Sequence, residues 1–253
     1  MSQLLSRREL MQVASAFTVA GVMAVPAASP AAALESSPRK PCRGSVCMFS
    51  KSVPQLNWVE LGKTTKEAGF DGVDLSVRSD GHVLPERAAV DLPKAITAIR
   101  GEGMEVSMLT TGLLDLNSPG ARPILEIAGK LSVPHVKPGY YAYRTTNPFD
   151  DLREAGRRFR GPVKLAKENG VQIGYHNHPD WVGGFTWDTV NLLEPLDPRW
   201  IGCYSDLGHA SVGEGDDEWR IAANIAMSRL KMITVTGGKL QTADLRGPGL
   251  SAV

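Results

Sequence analysis

The fold is decided by the stretch Phe70-Asp71-Gly72-Val73-Asp74-Leu75-Ser76-Val77, in which a short apolar strand follows directly on a helical segment. Residues 54–68, just ahead of it, are predicted to form a helix that starts with Pro54 inside its first turn and ends at Gly69. Proline at the start and glycine after the end are common signals of helix boundaries. The segment is therefore predicted to be one helix-to-strand step of a repeating α/β chain.

The same alternation runs along most of the chain. Because short apolar strands separated by helices form parallel βαβ units, we predict an α/β fold, a TIM-type (β/α) barrel with about seven of its eight units. A doubly wound open sheet is the alternative, but no Gly-x-Gly-x-x-Gly motif follows the first strand. The predicted strands are residues 46–49, 72–77, 104–110, 134–138, 171–175, 200–204 and 231–235; the other predicted helices are 92–100, 123–131, 187–196, 216–230 and a segment 150–169 that Gly161-Pro162 should split in two.

The composition is that of one soluble globular domain. The chain has 253 residues, of which 42% are hydrophobic and 22% charged, and its net charge is +1. This length is enough to bury a full barrel core. A nearly neutral chain favours neither nucleic acid nor an anionic membrane surface as a partner.

The first 33 residues have the pattern of an export signal. Ser6-Arg7-Arg8-Glu9-Leu10 precedes an apolar run over 13–25, and Ala31-Ala32-Ala33 ends the segment. The run is too short to span a bilayer, and paired arginines are typical of twin-arginine signals. We predict a twin-arginine-like signal peptide over 1–33, a linker over 34–44, a periplasmic or otherwise exported protein, and no stable membrane insertion after signal removal. An ordinary secretory signal or a retained anchor is the alternative.

The three cysteines are compatible with export. Cys42 and Cys47 could bridge a short loop in an oxidising compartment, whereas Cys203 lies in an apolar stretch and is expected to be buried. Because the sequence has no Cys-x-x-Cys pair, a structural zinc site is not expected.

Histidines lie at or near the ends of the predicted strands. His82 follows strand two, His135 lies within strand four, His176 and His178 close strand five, and His209 follows strand six. In a parallel barrel the carboxyl ends of the strands form one face, and that face carries the active site. The sequence therefore places its candidate chemistry at one mouth of the barrel.

Two segments carry most of this prediction. Gly174-Tyr175-His176-Asn177-His178 closes strand five, and alternation along the strand points His176 and His178 the same way. Asp206 ends strand six, and His209 follows three residues later. Imidazole and carboxylate groups at this spacing suit a divalent metal or a pair of substrate hydroxyls. The alternatives are histidines bonded to loop backbone and an aspartate that caps the next helix.

Further candidates lie in the loops after strands two, four and five. Charged and hydroxyl-bearing groups there can bind substrate oxygens, and aromatic rings can stack on a sugar, although ordinary loop solvation is an equal alternative. For Trp181, Phe185 and Trp187 we expect at least two to pack in the core. The proposed substrate-binding residues are Arg78, Glu86, Tyr140 and Trp181, and the candidates for proton transfer are His178, Lys137 and His82.

Four motifs in register resemble the sugar phosphate isomerase/epimerase family, which has a xylose isomerase-like barrel. They are Phe70-Asp71-Gly72-Val73-Asp74-Leu75, Gly81-His82-Val83-Leu84-Pro85-Glu86, Tyr175-His176-Asn177-His178 and Asp206-Leu207-Gly208-His209, and the second resembles an often exported subgroup. The resemblance implies a barrel domain over residues 45–236. It also implies a keto- or aldo-sugar substrate whose proton next to a carbonyl is moved, often with a divalent metal.

The resemblance also implies which residues hold that metal, and there the chain departs from the family pattern. Family members take ligands from strands five to eight; His176 and Asp206 match the first two positions, and we take His209 as the third ligand of a Mn, Mg, Co or Zn ion. Strand seven offers no histidine and no Lys-Asp pair after it, and residues 237–253 show no eighth strand and helix. The sequence thus leaves open a catalytically degenerate, sugar-binding barrel. An apurinic endonuclease of the same barrel class is disfavoured by the neutral charge and the export signal.

Overall fold

A computed structural model describes residues 44–206, 208–210 and 218–234. The predicted signal peptide, nearly all of the linker with Cys42, and the tail 237–253 lie outside these residues. Among the described helices, none is both long and apolar enough to cross a membrane.

Seven parallel strands in the described part of the chain curl into an incomplete barrel, each paired with the next along the sequence. The strand order never reverses, as it would in a doubly wound sheet, so the TIM-type prediction is confirmed. The strands are β1 Cys47–Phe49, β2 Gly72–Val77, β3 Glu105–Thr111, β4 His135–Lys137, β5 Gln172–His176, β6 Ile201–Asp206 and β7 Leu230–Thr234. The helices are α1 Trp58–Glu67, α2 Ala88–Gly101, α3 Ala121–Lys130, α4 Pro148–Glu168, α5 Thr186–Leu193 and α6 Glu218–Met227, with 3-10 turns at Ser50–Ser52 and Pro85–Arg87.

Alternation along the strands separates an apolar outer layer from a polar interior. In β2, Val73, Leu75 and Val77 are fully buried in the core cluster that the surrounding helices share. The side chains of Asp74 and Ser76 take the opposite face, and the Asp74 carboxylate accepts a hydrogen bond at 2.8 Å from the hydroxyl of Thr110 on the neighbouring strand β3. Apolar packing between the strands and the surrounding helices therefore stabilises the barrel, and the interior positions can hold polar groups.

The start of α1 differs from the prediction. Asn57, rather than a residue near Pro54, caps the helix: its side chain accepts from the backbone of Val59 and Glu60. The Glu60 carboxylate accepts from the Asn57 backbone in return, which completes a capping box. Pro54 lies in the preceding turn because this reciprocal cap fixes the first turn further along the chain.

The predicted break at Gly161-Pro162 is wrong. α4 runs as one helix of 21 residues with Pro162 inside it. Proline removes one backbone donor, but Pro162 and its neighbour Val163 are buried against the core. The remaining helical hydrogen bonds and this burial outweigh the loss of a single bond.

Candidate active site

Asn177 joins the ends of β5 and β6. Its side-chain oxygen accepts from the Asp206 backbone at 2.7 Å, and its side-chain nitrogen donates to the Asp206 carbonyl at 3.1 Å. Asn177 is buried, so water does not compete for these bonds. These two hydrogen bonds fix the position of His176, which precedes Asn177, and of Asp206 at the end of β6.

His176, Asp206 and His209 converge at this junction. His176 Nε2 lies 3.7 Å from Asp206 Oδ2, and His209 Nδ1 lies 3.3 Å from the same oxygen. The His209 backbone donates to Asp206 Oδ1 at 3.0 Å, so the aspartate also caps the helical residues 208–210. One ligand atom from each of the three residues lies within 4.8 Å of the other two. The helix-capping alternative and the ligand hypothesis are thus compatible, because each uses a different carboxylate oxygen.

The ring tautomers of two histidines are set by backbone carbonyls. His178 Nδ1 lies 2.8 Å from the Pro179 oxygen, and His209 Nδ1 lies 2.9 Å from the Asn177 oxygen. A carbonyl only accepts, so both Nδ1 atoms carry a hydrogen, and in the neutral ring the lone pair is on Nε2. The structure therefore presents two imidazole lone pairs, from rings whose centroids are 4.6 Å apart.

His176 is buried as a neutral imidazole. Burial, together with the smaller effects of Lys137, His209 and His178, lowers the pKa of His176 to about 3. Its Nδ1 has no hydrogen-bond partner among the described residues. A neutral, poorly bonded imidazole beside a carboxylate has the donor properties that a divalent cation requires.

The three groups fit such a cation. Adjacent ligand atoms around an ion with bonds of about 2.1 Å lie about 3.0 to 3.5 Å apart. The 3.7 Å separation between His176 Nε2 and Asp206 Oδ2 is close to this range, so a small inward movement would suffice. His209 would approach through Nε2, because its Nδ1 already donates.

Lys137 lies beside this cluster, at the end of β4. It is 4% exposed, and its ammonium group lies 3.5 Å from the ring centroid of Tyr140. Burial lowers the pKa of Lys137 to about 7, and the positive charge of Arg78 lowers it while Asp74 opposes the shift. Burial also raises the pKa of Asp74 to about 7, against the hydrogen bond from Thr110 and the charge of Lys137. The interior thus holds a lysine that can exchange a proton near neutral pH.

Tyr140 connects the remaining aromatic candidates to the cluster. Its ring centroid lies 5.0 Å from that of His178 and 5.8 Å from that of Trp181, on which it stacks at 26°. Burial raises the pKa of Tyr140 well above its usual value, so its hydroxyl stays protonated.

The expectation that at least two of the three aromatic residues pack in the core is wrong: Trp181, Phe185 and Trp187 are 36%, 50% and 57% exposed.

The other predicted site residues lie on the β2 side of the mouth. The Arg78 guanidinium lies 2.9 Å from Asp80 and 5.8 Å from the Phe49 ring centroid, and Glu86 is exposed. His82 is half-buried, with Nδ1 3.2 Å from the Ser76 hydroxyl, and its carbonyl accepts from the Trp58 indole at 3.0 Å. The described contacts of His82 are therefore those of loop packing against β2 and α1.

Three interior residues were missed by sequence reasoning. Asn177 stood in a quoted motif, but its amide was given no role; Asp74 also stood in one, and alternation from Leu75 would have placed it inside the barrel. Tyr204, whose ring lies 4.7 Å from that of His176, could have been found by counting back two residues from Asp206.

This arrangement of strands and mouth residues belongs to a known class of barrel. A sequence model of the xylose isomerase-like TIM barrel family matches residues 63–248, and the chain belongs to that family. The match begins inside α1 and continues beyond residue 236, where the sequence alone had placed the end of the barrel domain. Comparison with curated proteins gives no match.

Several solved structures share the fold. The apo form of 3-keto-D-glucoside 4-epimerase from E. coli matches with a TM-score of 0.61 at 14% identity, over 80% of this chain and 87% of that one. A xylose isomerase-like barrel protein from Mycobacterium smegmatis, in complex with magnesium, gives 0.60 at 14% identity over 76% and 74%. D-psicose 3-epimerase from Clostridium cellulolyticum H10, with D-tagatose, gives 0.56 at 15% identity over 76% and 74%. At these identities the likeness is one of fold.

Proposed function

We propose that the protein is a sugar isomerase or epimerase that moves a proton next to the carbonyl of a keto- or aldo-sugar, assisted by a divalent metal. The observation that supports this is the convergence of His176, Asp206 and His209, with two imidazole lone pairs and a buried lysine beside them. Proton transfer at carbon needs a neutral base and a group that stabilises negative charge on the adjacent oxygen.

His176, Asp206 and His209 would hold the metal, as Mn²⁺, Mg²⁺, Co²⁺ or Zn²⁺. When bound, such an ion polarises the sugar carbonyl and favours negative charge on its oxygen. The carboxylate and two imidazoles form a mixed oxygen and nitrogen donor set, which these ions accept. The magnesium complex among the structural neighbours supports a divalent ion, although that ion belongs to the other protein.

His178 is the proposed base. Its Nε2 lone pair takes the proton from the carbon next to the carbonyl, and the electron pair moves to the carbonyl oxygen to give an enediolate. A proton given by protonated Lys137 to the other face of that carbon inverts it. Return of the proton by His178 to the neighbouring carbon, with transfer of the hydroxyl proton to the former carbonyl oxygen, isomerises the sugar. Lys137 has a pKa of about 7, which allows it to exchange the second proton near neutral pH.

The walls of the mouth would position the sugar. Tyr140 and Trp181 offer ring faces beside His178, and Arg78 and Glu86 offer charged groups on the opposite, β2 side. His82, half-buried with its Nδ1 3.2 Å from the Ser76 hydroxyl, lies on the same side of the mouth. The epimerases among the structural neighbours support this class of substrate.

Solvent-proton exchange tests the proposal directly. The full chain with Mn²⁺ is incubated in D₂O with D-fructose, D-psicose or D-tagatose, and deuterium next to the carbonyl is followed by NMR. We expect His178→Gln to lose about a hundredfold or more of the exchange rate while it still binds Mn²⁺ in calorimetry. Asp206→Asn should lose Mn²⁺ affinity as well.

The variant His135→Gln is the matched control for His178→Gln. His135 lies at the amino end of β4, away from the mouth, so His135→Gln should keep both properties. Wild-type protein that binds neither Mn²⁺ nor sugar and exchanges no proton would refute the proposal. Sugar-dependent thermal stabilisation without exchange would instead select the degenerate, sugar-binding barrel.

A further inference from the structure

Exposed aromatic side chains surround one side of the mouth. Tyr143, Trp181, Phe185 and Trp187, called here the aromatic rim, are 38%, 36%, 50% and 57% exposed. Tyr143 lies in the loop after β4, Trp181 and Phe185 lie in the loop after β5, and Trp187 lies in the first turn of α5, which follows that loop. All four therefore follow the carboxyl ends of neighbouring strands, where exposed ring faces can serve as a binding surface.

The two loops that carry the rim are tied together. Ala142 and Trp181 form an antiparallel bridge, and the Val182 backbone donates to the Tyr141 carbonyl at 2.9 Å. Gly183 has a φ of 75°, and a Cβ at this position would come within 2.7 Å of the Tyr175 ring. The loop after β5 is thus held close to the barrel, and the rim is a formed surface.

The rim is continuous with the proposed catalytic cluster. Trp181 stacks on Tyr140, whose ring lies between Lys137 and His178, with centroid separations of 5.8 Å to Trp181 and 5.0 Å to His178. Ring faces therefore lead from the reacting position outward to the solvent. A ligand longer than one sugar ring would follow this path.

The carboxylates near Trp181 and Trp187 favour a neutral ligand, and Arg144, exposed beside Tyr143, adds a hydrogen-bond donor. Asp180 is exposed beside Trp181, and Asp188 lies next to Trp187, where partial burial raises its pKa. Carboxylates at these positions accept hydrogen bonds from hydroxyl groups and repel phosphate or carboxylate groups. Aromatic faces beside hydroxyl acceptors suit the C–H faces and hydroxyl edges of a saccharide.

We propose that the aromatic rim is an outer saccharide subsite and that the substrate is a glycoside or oligosaccharide, with one ring at His178 and a second neutral ring on the rim. This inference rests on the proposed function for the position of the first ring. The subsite would give affinity, whereas the histidine cluster and Lys137 would carry the chemistry.

Matched keto-sugars test the subsite. Maltulose and isomaltulose contain D-fructose with an added glucose ring, so calorimetry and tryptophan fluorescence on the full chain with Mn²⁺ can compare each with D-fructose. We expect a disaccharide to bind about tenfold more tightly than D-fructose, as stacking of one ring would give. The double variant Phe185→Ala/Trp187→Ala should lose that advantage, and Val90→Ala, which removes an equally exposed apolar group on α2, should keep it.

The outcomes separate this inference from the proposed function. Equal affinity of the wild type for D-fructose and both disaccharides, with proton exchange intact, would overturn the subsite and leave the function standing. A disaccharide preference that the rim variant abolishes, without any exchange, would support the subsite and remove the function. A rim variant that changes only the sedimentation coefficient would show a contact between copies of the chain and overturn the subsite.

Discussion

Burial of Lys137 lowers the stability of the folded protein. Its position in the candidate site gives a reason for this burial. Its pKa is about 7 in the folded protein and 10.5 in its unperturbed state, so below pH 7 the ammonium is charged in both states and the full burial penalty applies. Between pH 7 and 10.5 the unfolded chain binds more protons, and stability from this group rises with pH. The groups whose charges act on it are Arg78, Asp74 and Lys51.

Lys137→Met should therefore stabilise the protein while it removes activity. At pH 6, where Asp74 is largely protonated, we expect a gain of about 1 to 4 kcal/mol in the free energy of unfolding, measured by urea titration. The gain should shrink as the pH rises from 7 towards 10. Lys51→Met, at an exposed position, should leave the stability nearly unchanged. A Lys137→Met protein less stable than the wild type at pH 6 would contradict the assigned penalty.

The sequence predicted the candidate metal ligands, but it did not predict the residues that hold them in place. Alternation and strand ends bring His176, Asp206 and His209 to one face, because these rules depend on backbone geometry alone. Asn177 and the exposure of Trp187 depend on which loop closes over which strand, and that is settled by contacts distant in sequence. The burial of Cys203 was predicted and is confirmed, since its apolar strand context is local.

At the scale of the elements, strands were predicted better than helix ends. The bounds of β2 agree fully, and the other strands agree within two residues at each end. Parallel strands buried on both faces read as apolar runs, and this signal is strong. Helix ends depend on caps and packing. The first helix begins after the cap at Asn57 and not at Pro54, and α4 continues past Pro162 because that part of the helix is buried.

Two glycines inside helices should respond oppositely to alanine. A Cβ at Gly156 in α4 would meet Leu192 at 3.5 to 3.7 Å, which is ordinary contact, so Gly156→Ala should stabilise the protein by about 0.5 to 1 kcal/mol. At Gly129 in α3 the added carbon would overlap the Asn169 carbonyl oxygen, so Gly129→Ala should destabilise it by about 1 to 3 kcal/mol. Urea unfolding of both variants checks the pair, and a stabilised Gly129→Ala would contradict the packing of α3 against the end of α4.

At the scale of the whole molecule, the barrel separates stability from chemistry. The apolar faces of the strands and helices supply the core, while the inner positions hold Asp74, Lys137 and His176, which cost stability. Such groups are tolerated only because the surrounding layer is well packed. The mouth can therefore carry an unfavourable but reactive set of groups.

Export would place this mouth outside the cytoplasm, and we propose the twin-arginine route from Arg7 and Arg8. That route carries folded proteins, so a metal ion could enter the site before transport. Arg7→Lys/Arg8→Lys in the full chain should leave the protein in the cytoplasm of a bacterium with the pathway, whereas the wild type reaches the periplasm, as read by fractionation. Loss of wild-type export on deletion of the host translocase is the matched genetic control. Export of the double variant at the wild-type level would show that the paired arginines do not direct it and would favour an ordinary secretory signal.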